Sequence, residues 1–264
     1  MSTRAETGLD RIAAAFAAVP GRAALMPYLM GGFPDLDASL AIGEAYADGG
    51  ADLVELGVPF SDPLADGPVI HAAGTRALAS GATVPAVIEL ARALAERVPV
   101  VLMCYSNVVL ARGVERFADE LAGAGVSGLI VPDLPLEESP TTLAACDAAG
   151  LALVPLVAPT TTEERLRRIG EQARGFVYTV SSTGTTGERA DLDPAALLAR
   201  VRGHMSVPVA LGFGISRPDQ AAAAAAAGAD GVIVGTRLVR AAAEGEDVGV
   251  LVAELAAALG APGH

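Results

Sequence analysis

The chain has 264 residues, 52% of them hydrophobic, and carries a net charge of −13. That length and apolar content suffice for one large α/β core. A field of that sign repels phosphate backbones and anionic lipid, which argues against nucleic-acid and membrane-surface roles.

The N-terminal run "MSTRAETGLDRIAAAFAAV" places Leu9, Ile12, Phe16 and Val19 at helical spacing, which predicts an amphipathic surface helix rather than a signal peptide. "ALMPYLM" (Ala24–Met30) then reads as a first strand and Leu40–Ala47 as a helix. "DLVELGV" (Asp52–Val58) is the second strand, followed by a helix over Val84–Ala95 and a third strand in "VPVVLMCY" (Val98–Tyr105). A helix over Val114–Ala122 leads to "GLIVPD" (Gly128–Asp133), and "LALVPLV" (Leu151–Val157) supplies a fifth strand. The pattern continues with helix Glu163–Gln172, strand "GFVYTVS" (Gly175–Ser181) and helix Ala195–Val201. It closes with strand "PVALGFG" (Pro208–Gly214), helix Gln220–Ala227 and strand "DGVIVG" (Asp230–Gly235). Glycines in "GGAD", "GAGVSG", "AAGLA" and "AAGAD" end the helices that precede strands.

The strands are short and almost continuously apolar, as strands covered on both faces are. Strand followed by helix, about eight times over, predicts a (β/α)8 TIM barrel with an extra N-terminal helix, forming a single domain over 1–264. A doubly wound open sheet is the alternative, but no GxGxxG follows the first strand. No stretch reaches the roughly 18 apolar residues of a membrane span. Cys104 and Cys146 stand far apart without a CxxC pattern, which fits a reduced compartment and a cytoplasmic location.

A barrel carries its chemistry at the C-terminal ends of its strands. Side chains alternate along a strand, so if Val54 and Leu56 face the helices, Leu53 and Glu55 face the barrel interior. Burial raises a carboxyl pKa, which suits a proton donor working near neutrality; the other reading is a glutamate that pairs with an arginine or ends its strand early in solvent. Asp66 lies eleven residues further on, in the loop over the same mouth, where it is either a functional acid or a turn residue before Gly67. Asp62, before Pro63, reads as structural. Tyr105 and Asn107 end the third strand and either line a pocket or make structural hydrogen bonds. The small, polar "SSTGTTGE" (Ser181–Glu188) reads as a lid or as a plain surface loop. "LGFGIS" and "VGTRL" follow the seventh and eighth strands, where barrels bind phosphate; they read as a phosphate site built on the backbone amides of Gly214, Gly235 and Thr236, or as ordinary βα turns. All 18 basic residues are arginine, which excludes imine chemistry through lysine, and three histidines leave little for a His-rich metal site.

With those residues in place, the chain resembles the tryptophan synthase alpha subunit family. The most specific segment is "LVELGVPFSDPLADGP" (Leu53–Pro68), with "PYLMGGFPD", "MCYSN", "VPDLPLEES", "GFVYTVSSTGTTGER", "LGFGIS" and "GADGVIVGTRLV" following in order. The resemblance implies cleavage of indole-3-glycerol phosphate to indole and glyceraldehyde 3-phosphate, with Glu55 as acid/base and Asp66 on the indole N–H. It also implies Tyr178 near Glu55, Tyr28 packed on the indole, Thr186 and Gly187 in the lid, and phosphate contacts from Gly187, Phe213, Gly214, Gly235 and Thr236. No metal and no cofactor are implied for this chain. Pyridoxal phosphate is expected only on a partner beta subunit in an α2β2 assembly, contacted near Pro63 and Asp133. Many members carry phenylalanine where this chain has Tyr28 and glutamine where it has His71.

Overall fold

The computed structural model describes residues 6–180, 193–212 and 214–260. In chain order the elements are α1 (Gly8–Ala17), β1 (Ala24–Met30), α2 (Leu36–Asp48), β2 (Val54–Gly57), α3 (Pro68–Ala79), α4 (Val84–Ala95) and β3 (Val100–Met103). They continue with α5 (Ser106–Arg112), α6 (Val114–Gly123), β4 (Gly128–Ile130), α7 (Pro140–Ala149), β5 (Ala152–Leu153), β6 (Leu156–Val157) and α8 (Glu163–Gln172). The last are β7 (Val177–Val180), α9 (Pro194–Arg202), β8 (Val209–Gly212), α10 (Pro218–Ala226), β9 (Gly231–Val234), α11 (Thr236–Glu244) and α12 (Val248–Gly260).

All the ladders are parallel, and the sheet order runs β5-β4-β3-β2-β1-β9-β8-β7-β6. Its two ends, β5 and β6, are halves of one run, Ala152–Val157, so the ladder closes on itself as a TIM barrel. The split falls at Pro155, which has no N–H to donate and interrupts the fifth strand.

Inward and outward faces alternate as the sequence predicts. Leu53, Val101, Ile130, Ala152, Phe176, Ala210 and Ile233 cluster inside the barrel, while Val54, Leu56, Leu102, Leu129, Val177 and Leu211 pack against the helices. The N-terminal helix is more than a surface helix. Its apolar stripe plugs the floor of the barrel: Ile12 is fully buried, and Phe16 packs on Phe176 with ring centroids 5.9 Å apart. Glycines at the starts of strands make the room. A Cβ on Gly128 or Gly175 would meet the Ile12 side chain, and one on Gly231 would meet Phe16. Arg11 then donates to the carbonyls of Gly125 and Ala95, fastening the helix to the barrel floor.

The repeated "GAD" turn has one physical job. Asp52 accepts from the Leu25 amide and pairs with Arg22, and Asp230 accepts from the Val209 amide and pairs with Arg202. Each aspartate therefore satisfies a backbone donor of the neighbouring strand where the ladder begins. Ahead of these strands Gly50 and Gly228 take positive φ values of 94° and 99°, where a side chain is disfavoured.

Candidate active site

Glu55 lies on β2 directly beside Tyr28 of β1 in the register, and it faces the barrel interior with only 4% of its surface exposed. Its Oε2 is buried and finds no hydrogen-bond partner among the described residues. Desolvation, reinforced by the Asp66 carboxylate, pushes the Glu55 carboxyl up to about 8. At neutral pH it therefore holds a proton that it can donate. Among the described residues no arginine pairs with Glu55.

Asp66 sits in the loop between β2 and α3, partly buried. Its Oδ1 accepts a 2.8 Å hydrogen bond from the Tyr105 hydroxyl. Burial raises its carboxyl, while the Tyr105 hydrogen bond and nearby His71 pull it back down. Burial raises both carboxyls, Glu55 to about 8, and only Asp66 has an opposing pull, from Tyr105 and His71. Asp62 is exposed and accepts a hydrogen bond from its neighbour Ser61.

Two tyrosines flank the carboxyls. Tyr28 is buried, and desolvation together with the charges of Asp66 and Glu55 raises its hydroxyl. Tyr178 of β7 is raised by burial and by Glu55. Both rings occupy space left by glycine. A Cβ on Gly57 would strike the Tyr28 hydroxyl, and one on Gly212 would strike that of Tyr178. Sequence reasoning missed these gaps, although an isolated glycine inside an apolar strand is a known sign of close approach.

Two strands round the mouth from Glu55, Gly235 precedes α11 and lies against Tyr28, with its would-be Cβ 3.6 Å from Tyr28 Cβ. No side chain caps the start of α11, which leaves first-turn amides at Gly235 and Thr236 pointing beyond the helix end. Gly214 follows β8 with φ 82°. Arg237, in the first turn of α11, is engaged with Glu246 at 2.7 Å. Thr186, Gly187 and Phe213, with the rest of the "SSTGTTGE" segment, lie outside the described residues.

Tyr105 and Asp133, weighed above as lining and contact residues, make specific bonds. Tyr105 also accepts from the Ala65 amide at 2.9 Å, and its ring stacks on Phe60 with centroids 5.3 Å apart. Asp133 accepts from Ser106 N at 2.8 Å and Ser106 Oγ at 2.7 Å. A cavity of about 400 Å³ opens beside this arrangement, between the loop after β4 and α8. Its walls include Leu136, Leu143, Leu156 and Ile169, and neither Glu55 nor Asp66 lines it.

Comparison with known proteins extends the geometry. A family model described as "Tryptophan synthase alpha chain" matches residues 15–259. The tryptophan synthase alpha chain of Methanosarcina mazei is 52% identical over 227 residues, 85% of this chain and 83% of its own. That of Geobacter sulfurreducens is 46% identical over 264 residues, 96% of this chain and 100% of its own. Among solved structures, Mycobacterium tuberculosis tryptophan synthase is similar with a TM-score of 0.89 at 41% identity, covering 96% of this chain and 99% of that one. The tryptophan synthase a2b2 complex of Pyrococcus furiosus is similar with a TM-score of 0.80 at 34% identity, covering 89% and 97%.

Proposed function

The chain belongs to the tryptophan synthase alpha chain family, and from that premise we propose that Glu55 and Asp66 divide the acid–base work of its reaction. That reaction is the retro-aldol cleavage of indole-3-glycerol phosphate to indole and glyceraldehyde 3-phosphate, within tryptophan biosynthesis. The chain works as the alpha subunit beside a beta subunit in an α2β2 assembly.

Breaking this carbon–carbon bond requires a place for its electrons. Protonating the indole ring at C3 makes the ring that sink, and positive charge then develops towards the ring nitrogen. Glu55, carrying a proton at neutral pH, delivers it to C3. The same carboxylate then takes the proton from the hydroxyl on the carbon attached to the ring, and that carbon leaves as the aldehyde. Asp66 accepts from the indole N–H and stabilises the developing cation. Tyr28 packs on the indole and Tyr178 bounds the pocket next to Glu55. Amides of Gly214, Gly235 and Thr236 take the phosphate at the N-terminus of α11, joined by Gly187, Phe213 and the lid residue Thr186. The scheme draws on side chains and backbone alone. Pyridoxal phosphate belongs to the beta subunit, since a chain without lysine has no amine to hold it as an imine. Two free, buried cysteines and a helix set in which no single described member is long and apolar enough to cross a membrane support a cytoplasmic enzyme.

The observation that carries this reading is the buried Glu55 carboxyl, with an oxygen lacking a partner, next to a second acid at the mouth of the barrel. Indole release from indole-3-glycerol phosphate, measured for wild type and Glu55→Gln with and without beta subunit, tests it. General acid–base groups contribute about 10²–10⁴-fold, so a loss in that range is expected. An unchanged rate overturns the role of Glu55. A wild type inert even with its partner favours a scaffold that only activates the beta subunit.

A further inference from the structure

Little in the Asp66 segment itself explains how the carboxylate is held. Leu64 is 90% exposed, and among the described residues Asp62 bonds to its neighbour Ser61. The restraint comes from two other loops. Tyr105, at the end of the third strand, is 5% exposed and uses its hydroxyl twice: it donates to Asp66 Oδ1 and accepts from the Ala65 amide. Its ring is clamped by stacking on Phe60. Tyr105 is also the residue before α5, and its own side chain does not cap that helix. Asp133, from the loop after β4, supplies the cap through both carboxylate oxygens on Ser106. Hydrogen bonds of Tyr105 on one side and of its chain neighbour Ser106 on the other therefore join the loops after β2, β3 and β4.

We propose that Tyr105 is a positioning residue of the reaction, its hydroxyl fixing the Asp66 carboxylate opposite Glu55, with Ser106 and Asp133 holding Tyr105 in turn. The inference rests on the reading of Asp66 given above. Its physics is separable from that reading. A hydroxyl that donates to a carboxylate favours the anion, and it also fixes which oxygen faces the pocket. The groups that bear on the Asp66 charge are Glu55 and Tyr28 from the barrel, His71 from α3 and Tyr105 itself.

Tyr105→Phe keeps the ring stack and removes only the hydroxyl. Two measurements are made on it, with thermal unfolding as the control for folding. The first is the ¹³C titration of the Asp66 carboxyl in the isolated chain, which does not depend on catalysis. The Asp66 pKa is expected to rise, and an unmoved titration curve overturns the proposal. The second is the pH profile of kcat/KM with beta subunit bound. A drop of about tenfold is expected, with the acid limb displaced to higher pH. In an Asp66→Asn background the further loss from Tyr105→Phe is expected to vanish, since a residue that acts through another adds nothing once that other is gone. A full additive loss in that background means a structural role and also overturns the proposal. If Asp66→Asn itself keeps full activity, the reading of Asp66 fails, and the carboxyl titration still decides whether Tyr105 holds it. Ser106→Ala is expected to move both readouts in the same direction by a smaller amount.

Discussion

A carboxyl buried without a partner is an expense that folding alone would not select. Glu55 shows what that means for stability. Its ordinary value is 4.5 and in the fold it is pushed up to about 8. Between those values the folded chain keeps the proton that the unfolded chain releases, so stability falls as pH rises through the window and levels off above it. At 1.36 kcal/mol per unit the full penalty is on the order of a few kcal/mol. Glu55→Gln removes it. In denaturant unfolding the variant is expected to match wild type near pH 5 and to exceed it by a few kcal/mol near pH 8.5. A difference that is flat with pH would show that Glu55 ionises freely in the fold. The same group sets the rate on the alkaline side. kcat/KM is expected to fall as pH rises past about 8, because the proton donor is lost. Asp66→Asn takes away the second cause of the Glu55 shift and is expected to bring that limb to lower pH.

At the level of elements, floor and mouth of the barrel divide the labour. α1 touches the floor alone, with Ile12 filling the space beside Gly128 and Gly175. Ile12→Ala is expected to lower unfolding free energy by about 2–4 kcal/mol while leaving KM and kcat at ambient temperature near wild type, as read from calorimetry and the indole assay together. A matching loss of activity in a folded sample would couple floor to mouth. The elements were largely legible beforehand, because strand periodicity and glycine stops are local signals. "ALMPYLM" is β1 residue for residue, and Glu163–Gln172 is α8. Two things were not local. Pro155 splits the fifth strand only because both its neighbours pair there. The helices α3, α7 and α12 carry weak periodicity and α5 is only seven residues long, so the sequence reading passes over them; α11 is strongly amphipathic and is passed over as well. In the site, alternation placed Glu55 inside, but nothing in the chain announces the Tyr105–Asp66 bond. It joins residues 39 apart in sequence, and either partner alone reads as a turn or a lining residue.

Across the whole molecule, the active end also carries exposed apolar side chains. Among the described residues four large hydrophobics are exposed, and two of them, Leu64 at 90% and Leu110 at 64%, belong to the segments that Tyr105 and Asp66 join. Single exposed apolar residues are ordinary, but these stand on the loop bearing Asp66 and on α5, whose start Asp133 fixes. A beta subunit seated on Leu64 and Leu110 would therefore press on the same loops that orient Asp66. Burying one leucine contributes roughly 1.5–3 kcal/mol, and every 1.4 kcal/mol is about tenfold in affinity. Leu64→Asp, which also places a charge in the contact, is expected to weaken binding to the beta subunit by at least tenfold in titration calorimetry. Its thermal unfolding is expected to match wild type, since the side chain it replaces is already in water. Val250→Asp, at the 53% exposed position on α12, is the matched control and is expected to bind normally. Equal loss in both variants would trace the effect to added negative charge on a chain already at −13, and no loss in Leu64→Asp would move the docking face away from the Asp66 loop.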